Sequence, residues 1–253
     1  FLAVTDSRAS MYGGSARFSY RMAPLNIKGV TPTASFDTDY EGVNLLLLSD
    51  LWKFDGIKLA GRISGTNLLE WPLRRYRDHT GGGRARFIPS DERVLMTRDM
   101  PLERIAVRQA RGLDAGPFSP LTPIEPVPIG GEIVYDYGPE WIDIKPSHIA
   151  TENTYVEVQG RTKYGVESDL PFHVSSADWQ ESDRVFAGVL TAFGSSTKAI
   201  PIGGYGTFDG TMTGAFTSPG IEGQFAGEQM RAWDVVWGSV RGKALIQNSY
   251  VDV

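Results

Sequence analysis

Glycines placed inside strand-like sequence constrain the fold of this chain more than any other feature. Between 206 and 227 they stand at positions 206, 210, 214, 220, 223 and 227. Because successive side chains of a strand point to opposite faces, Phe208 and Met212 share one face with the even-numbered glycines, and Thr207 and Asp209 take the other. Glycine inside a strand marks a bend, a bulge or the close approach of another backbone. The pattern predicts a strongly curved sheet with an apolar concave face. An ordinary β-sandwich with glycines at bulges is the alternative.

The same segment supplies the candidate lining of that concave face. Five apolar residues alternate with the glycines and polar residues, namely Phe208, Met212, Phe216, Ile221 and Phe225. The tripeptide Ser218-Pro219-Gly220 is predicted to form the turn between the two strands, since these residue types favour turns.

The composition fits a folded β protein and excludes several other classes. The 253 residues include 29 glycines and 15 prolines, but 41% are hydrophobic, which argues against collagen-like and disordered chains. A net charge of −5 with both signs interspersed argues against a general nucleic-acid binder. With no cysteine, the chain has no disulfide, thiolate metal site or cysteine nucleophile. No apolar stretch reaches the roughly 20 residues of a membrane-spanning helix.

Period-2 alternation predicts strands along most of the chain, with two helices between them. A tight turn at 12–14 joins the first two strands. The first helix is predicted within 40–54, from the helical spacing of Val43, Leu46, Leu47, Leu51 and Phe54, and the second over 178–193. Asp178 and Glu181 form a capping-box pair at the start of the second helix. The predicted strands cover 1–11, 15–22, 31–38, 57–68, 131–137, 142–150, 154–164, 169–174 and, in short pieces, 204–253.

This layout of strands, a short helix and further strands occurs twice. We therefore expect one β-groove unit over 1–72 and a second over 130–253. The segment 73–129 between them, rich in proline, glycine and arginine, is predicted to be a loop or linker, with Gly81-Gly82-Gly83 as a flexible turn. The predicted fold class is mainly β: an open, strongly curved antiparallel β-groove with two short helices.

The glycine-spaced strands resemble a known family. The pattern Gly-x-Phe-x-Gly-x-Met-x-Gly-x-Phe-x-Ser-Pro-x-Ile-x-Gly-x-Phe, which starts at Gly206, is similar to the repeat of AsmA/TamB-like proteins of bacterial envelopes. The strands after Met230, with glycines at 238 and 242, and the helix that precedes the pattern are also similar. A fainter second copy follows the first helix. The resemblance covers about 1–70 and 130–253.

The resemblance implies a non-enzymatic section of a longer envelope protein. Such proteins are anchored in the inner membrane, extend across the periplasm of Gram-negative-type bacteria, and are thought to carry phospholipid acyl chains in an apolar groove toward the outer membrane. The TamB branch also supports outer-membrane protein assembly and secretion, with a partner of the Omp85 barrel class. Contact with such a barrel would involve parts outside this chain. No cofactor or metal is implied.

Catalytic and metal sites find little support in the residues themselves. His79, His148 and His173 lie in different segments without a ligand spacing. Asp178, Glu181 and Asp183 could be taken as a carboxylate pair for sugar chemistry, but capping of one helix explains them better. We therefore predict no catalytic, cofactor-binding or metal-binding residues. A carbohydrate-active enzyme is the weakest of the three hypotheses.

The six tryptophans support the second hypothesis, a secreted glycan-binding β-sandwich or solenoid. Trp233, Val235 and Trp237 are predicted to share one strand face, and a core position is the default expectation for them. The other tryptophans are Trp52, Trp71, Trp141 and Trp179.

Overall fold

The computed structural model describes residues 1–51, 57–102, 126–195, 198–233, 235–247 and 250–252, and a single antiparallel sheet of 13 strands dominates them. Two further short strands, β4 (Leu59–Ala60) and β7 (Val127–Pro128), form a separate parallel pair. In order across the large sheet, the strands are β1 (Leu2–Met11), β2 (Gly14–Ala23), β3 (Thr33–Asn44), β5 (Arg62–Pro72), β6 (Thr80–Ile88), β8 (Gly130–Tyr137), β9 (Ile142–Ala150), β10 (Thr154–Thr162), β11 (Ser168–Ser176), β12 (Ile202–Ala215), β13 (Ser218–Ala232), β14 (Val235–Gln247) and β15 (Tyr250–Asp252).

The sheet is open. Within the described residues β1 pairs only with β2 and β15 only with β14, so these two strands form its edges. Among the described residues, two short helices, α1 (Leu45–Leu51) and α2 (Trp179–Ala192), and a 3-10 turn at Tyr76–Asp78 accompany the sheet. The prediction of a mainly β, open antiparallel sheet with two short helices is confirmed.

Both helices pack on the same face of the sheet, which we call the inner face. Helix α1 and the β4–β7 pair form one buried cluster around Leu45, Leu48 and Ile129. Helix α2 forms the second cluster with apolar residues of β10 to β14, including Val174 and Phe208. Irregular registers between six strand pairs introduce bulges, and bulges bend the strands that contain them.

Helix α2 begins where the sequence predicts. The Asp178 side chain accepts a hydrogen bond from the backbone N–H of Gln180, and Phe193 ends the helix. The capping-box role predicted for Glu181 is wrong. Glu181 instead accepts hydrogen bonds from Thr151 and Asn153, because the start of α2 is folded against the β9–β10 turn.

The prediction of a helix within 40–54 is wrong in its start and its phase. Strand β3 continues to Asn44, whose side chain accepts from the backbone N–H of Leu46, and the helix begins only after this cap. Leu45 and Leu48 are buried, whereas Leu47 and Leu51 are exposed. Period-2 and helical spacing overlap in this leucine run, so the pattern alone could not fix the boundary. Residues 52–56, which include Trp52, lie outside the described part.

Two predicted turns are also strands. Gly81-Gly82-Gly83 lies in β6, and this strand joins β5 to β8. The predicted loop or linker 73–129 therefore contains a full strand of the sheet, while 103–125 lies outside the described residues. The turn between β12 and β13 falls at Phe216 and Thr217, because Ala215 pairs with Ser218. Ser218-Pro219-Gly220 is the first part of β13.

Candidate functional site

The inner face carries two apolar rows in which side chains of neighbouring strands stand directly opposite one another. We call them the first and the second apolar row. The first crosses six adjacent strands and consists of Tyr20, Phe36, Leu69, Gly81, Tyr137 and Ile142. The second crosses four strands and consists of Leu170, Met212, Ile221 and Ile246. Between them, Thr162 and Ser168 form a buried hydroxyl pair at 2.9 Å.

Four of the five candidate lining residues lie on the strands of this inner face. Phe208 stands opposite Phe225, and Met212 opposite Ile221. The ring centroids of the two phenylalanines are 6.3 Å apart. Phe216, the fifth, lies in the β12–β13 turn.

Helix α2 covers much of this lining. The Trp179 ring lies 5.4 Å from that of Phe225, and both belong to the buried cluster that contains Phe208 and Ile221. At the other end of the helix, the ring centroids of Phe193 and Phe216 are 5.0 Å apart. Access to these residues therefore depends on the position of α2.

The first apolar row lies outside both helix-covered clusters of the described residues. Its side chains, apart from the glycine, are half-buried. It shares Tyr20 and Tyr137 with a chain of neighbouring rings, which we call the aromatic row, with centroid separations between 5.2 and 6.2 Å. The aromatic row consists of Tyr20, Trp71, Tyr76, His79, Tyr137 and Tyr135. It was missed in the sequence because its members come from β2, β5, β8 and the β5–β6 connection.

Two inner-face glycines on β6 explain how Tyr135 and Tyr137 lie across the sheet. A Cβ on Gly81 would come within 2.4 Å of the Tyr137 ring, and one on Gly83 within 2.9 Å of the Tyr135 hydroxyl. Both tyrosines thus reach over β6 to Asn67 on β5, with hydrogen bonds of 3.2 Å. Glycines at i and i+2 opposite tyrosines were the available sequence signal for this arrangement.

Burial raises the pKa of Tyr40, Tyr135 and Tyr137, three tyrosines of the inner face. For Tyr40 the pKa rises to about 12, mainly because of burial and secondarily because of the nearby Tyr135. Burial also raises the pKa of Tyr135 and of Tyr137. These phenols are neutral at physiological pH, so the inner face carries hydroxyl dipoles here rather than charge.

The opposite, outer face is polar and charged. Lys145 bridges Asp136 and Asp143, and Lys243 bridges Glu222. On β10, burial opposes ionisation of Glu157, but hydrogen bonds from Arg98 and Tyr155 outweigh it and lower its pKa. A cavity of about 440 Å³ lies beside this carboxylate on the outer face. The two faces therefore differ sharply in chemistry.

His173 on the outer face takes part in an arrangement that the sequence did not reveal. Its Nδ1 lies 2.6 Å from Asp209, and its Nε2 lies 2.9 Å from the Ser175 hydroxyl. The order serine, histidine, aspartate is that of a hydrolase triad. However, Ser175 is only 3% exposed and pairs with Thr207 and Tyr155 in the interior of the sheet. Its backbone N–H belongs to the ladder, so no oxyanion hole is formed there. The arrangement joins β11 to β12.

The other candidate catalytic groups do not meet in a cleft. Asp178 caps α2, Glu181 binds Thr151 and Asn153, and Asp183 accepts from the backbone N–H of Ile200 at 2.6 Å. Burial raises the pKa of Asp178, and it raises that of Asp183 to about 6. His79 stacks on Tyr76, and His148 on Tyr155. Among the described residues there is no group of three or more side chains suited to hold a metal ion.

Comparison with known proteins gives no match. No family model, no curated protein and no solved structure is significantly similar to this chain. Within the described part of the chain, no helix has the length and apolar character needed to cross a bilayer.

The tryptophans are dispersed over the molecule. Trp71 belongs to the aromatic row, and Arg161 lies over the ring of Trp141 at 4.8 Å. Trp179 is buried in the first turn of α2, whereas Trp233 and Trp237 are both more than half exposed. The expectation of a core position for Trp233 and Trp237 is wrong, because they lie beside the turn that joins β13 to β14, beyond the helix-covered part of the inner face.

Proposed function

We propose that this chain is a non-enzymatic section of a TamB/AsmA-type envelope protein, and that its inner face forms an apolar groove for phospholipid acyl chains. The observation that supports the proposal is the first apolar row, which is half-buried, crosses six strands and lies outside both helix-covered clusters. The outer face, on the other side of the sheet from this row, carries the charged residues.

The dimensions of the row suit an acyl chain. Neighbouring strands lie about 4.8 Å apart, so a row over six strands extends about 24 Å. One leaflet of a bilayer core measures about 15 Å, half of the full hydrocarbon thickness. A chain laid across the strands would therefore fit within the row, and each methylene buried there contributes about 0.8 kcal/mol.

The place of the chain in the cell follows from the same proposal. The parent protein would be anchored in the inner membrane and extend through the periplasm, where it would support outer-membrane biogenesis and protein secretion. An Omp85-class barrel would contact parts of the parent outside this chain.

Site-specific photo-crosslinking tests the groove, and β5 provides a matched pair of positions. Leu69 belongs to the first apolar row, whereas its neighbour Leu68 is 41% exposed and lies on the opposite face, paired with Gly82. A photo-reactive phenylalanine at Leu69 is expected to capture phospholipid in cells, detected by mass spectrometry, and one at Leu68 is not. Equal capture at both positions, or capture only at Leu68, would contradict the proposal.

Crosslinking also distinguishes the part of the inner face under α2 from the first apolar row. Because Phe208 is buried under α2, we expect less capture there than at Leu69 unless the helix moves away. Thr207, on the outer face, is the control for Phe208.

A glycan-binding module is the second candidate function, and the aromatic row favours it. Tyr76 is exposed, and the centroid of its ring lies 5.2 Å from that of His79, on which it stacks, and 5.6 Å from that of Trp71. Such rings offer flat faces to sugar rings. Binding on a glycan array that is lost in Trp71→Ala would support this function, and an array without signal would exclude it.

A further inference from the structure

The hairpin of β13 and β14 exposes a set of large apolar side chains that the groove does not use. Four residues beside its turn are between 50% and 75% exposed: Trp233, Val235, Val236 and Trp237. Exposed apolar residues are common singly, but a contiguous group marks a surface that contacts another molecule. We call this group the hairpin tip.

The backbone at Trp233 shows that folding does not account for this residue. Its φ angle is +49°, in the left-handed region that glycine and asparagine favour and that bulky side chains rarely adopt. The side chain is also 59% exposed, so it gains little from burial. A tryptophan that neither suits its backbone nor fills the core points to a role in binding, as strained positions often do.

The faces of the hairpin indicate the kind of partner. Val235 pairs with the buried Ala232, and Val236 pairs with the exposed Arg231. Neighbouring side chains of a strand point to opposite faces, so apolar groups project from both sides of the hairpin. A protein partner would cover one side, whereas an apolar medium would surround both.

Tryptophan is also the residue that prefers the boundary between lipid and water, because its ring is apolar and its N–H is polar. Arg231, one pair away from the turn, is positioned to meet lipid phosphates. We infer that the hairpin tip inserts into the headgroup region of a phospholipid bilayer and holds this part of the protein against a membrane surface. The inference does not depend on lipid in the groove.

Vesicle flotation tests the hairpin tip with the full chain. Vesicles of phosphatidylethanolamine and phosphatidylglycerol are expected to carry the protein upward, and lipids with brominated acyl chains are expected to quench its tryptophan fluorescence. The double variant Trp233→Asn/Trp237→Ser should bind about tenfold or more weakly and lose much of this quenching. Asparagine suits the left-handed backbone at 233, so this variant should retain the fold, which its circular dichroism spectrum would show.

Val166→Ser is the matched control, because Val166 is 69% exposed in a different turn. It should leave flotation unchanged. Wild-type protein that does not float, or a double variant that floats equally well, would overturn the inference. Flotation without crosslinking at Leu69 would reject the groove and leave the hairpin tip standing, so the two failures are distinguishable.

Discussion

Removal of the Ser182 hydroxyl is expected to destabilise the protein well beyond the cost of one ordinary hydrogen bond. Ser182 lies in α2, is fully buried, and lies 2.7 Å from the hydroxyls of both Thr154 and Ser176. These three hydroxyls join α2 to β10 and β11. They form a buried polar cluster at the base of the helix that covers the candidate lining.

The magnitude follows from what Ser182→Ala leaves behind. Each hydrogen bond contributes about 1 kcal/mol net, and a buried polar group left without a partner costs about 1–3 kcal/mol. Both hydroxyl contacts are lost, together with the hydrogen bond that the Ser182 hydroxyl donates to the backbone carbonyl of Asp178 at 3.2 Å. Thr154 and Ser176, each less than 3% exposed, lose this partner. With two buried hydroxyls left unpaired, we expect the free energy of unfolding to fall by about 2–6 kcal/mol.

Urea unfolding followed by circular dichroism measures this change, and a triple variant tests the reasoning. Thr154→Val, Ser176→Ala and Ser182→Ala together remove all three hydroxyls, so no partner is left unpaired. The triple variant should therefore lose less stability than the sum of the three single variants. Single losses below about 0.5 kcal/mol, or a triple loss equal to the sum, would refute the argument that unpaired hydroxyls dominate.

Three further predictions concern the helix, the core and the tyrosines over β6. Because burial raises the pKa of Asp183 from 3.8 to about 6, its neutral form stabilises the fold below pH 4, and this contribution is lost as the pH rises through 6. Asp183→Asn should therefore raise the free energy of unfolding at pH 7.5 by about 1–2 kcal/mol, after allowance for its partial exposure, and flatten the decline between pH 4 and 7 in urea titrations. Phe208→Ala should cost about 3–5 kcal/mol by the same assay, since its ring is buried between two other phenylalanines. Gly81→Ala should cost about 1–3 kcal/mol, because the new Cβ meets both the backbone oxygen of Leu68 and the Tyr137 ring, whereas Gly242→Ala, with nothing within 4 Å, should change stability little.

Other outcomes would contradict these expectations. A pH profile unchanged in Asp183→Asn would mean that its carboxyl does not carry the pH dependence. A loss below about 1 kcal/mol in Phe208→Ala would place that ring outside the core. Equal effects at Gly81 and Gly242 would show that neither the Leu68 backbone nor the Tyr137 ring limits the side chain at position 81.

The sequence predicted the parts of the fold in which local signals agree. In β8 to β11 alternation, strand-favouring residues and short connections point to the same assignment, and α2 has both a cap at Asp178 and a helical period. Prediction failed where two signals coincide. The leucines after Asn44 satisfy both periods, and Gly81-Gly82-Gly83 reads as a turn when its tyrosine partners on β8 are not known.

Only the part of the candidate site on β12 and β13 was predictable from the sequence. Phe208, Met212, Ile221 and Phe225 lie on two adjacent strands, so their shared face could be read from spacing. That α2 covers these residues could not be predicted, because the local sequence of the helix does not determine the face of the sheet on which it packs. The first apolar row draws one residue from each of six strands, and only the register brings them together.

The order of strands in the sheet also bears on how the chain folds. Neighbouring strands are close in sequence, so most pairings close short loops and add to the sheet one hairpin at a time. The pairing of β6 with β8 differs, because the two strands are separated by a long segment of sequence, from Ile88 to Gly130, that must close into a loop first. The short strand β7 lies within this segment. Loop-closure entropy rises with length, so this junction is where assembly is slowest. We expect the two halves of the sheet to form as separate cooperative units, with their joining at β6 and β8 as the last event in folding.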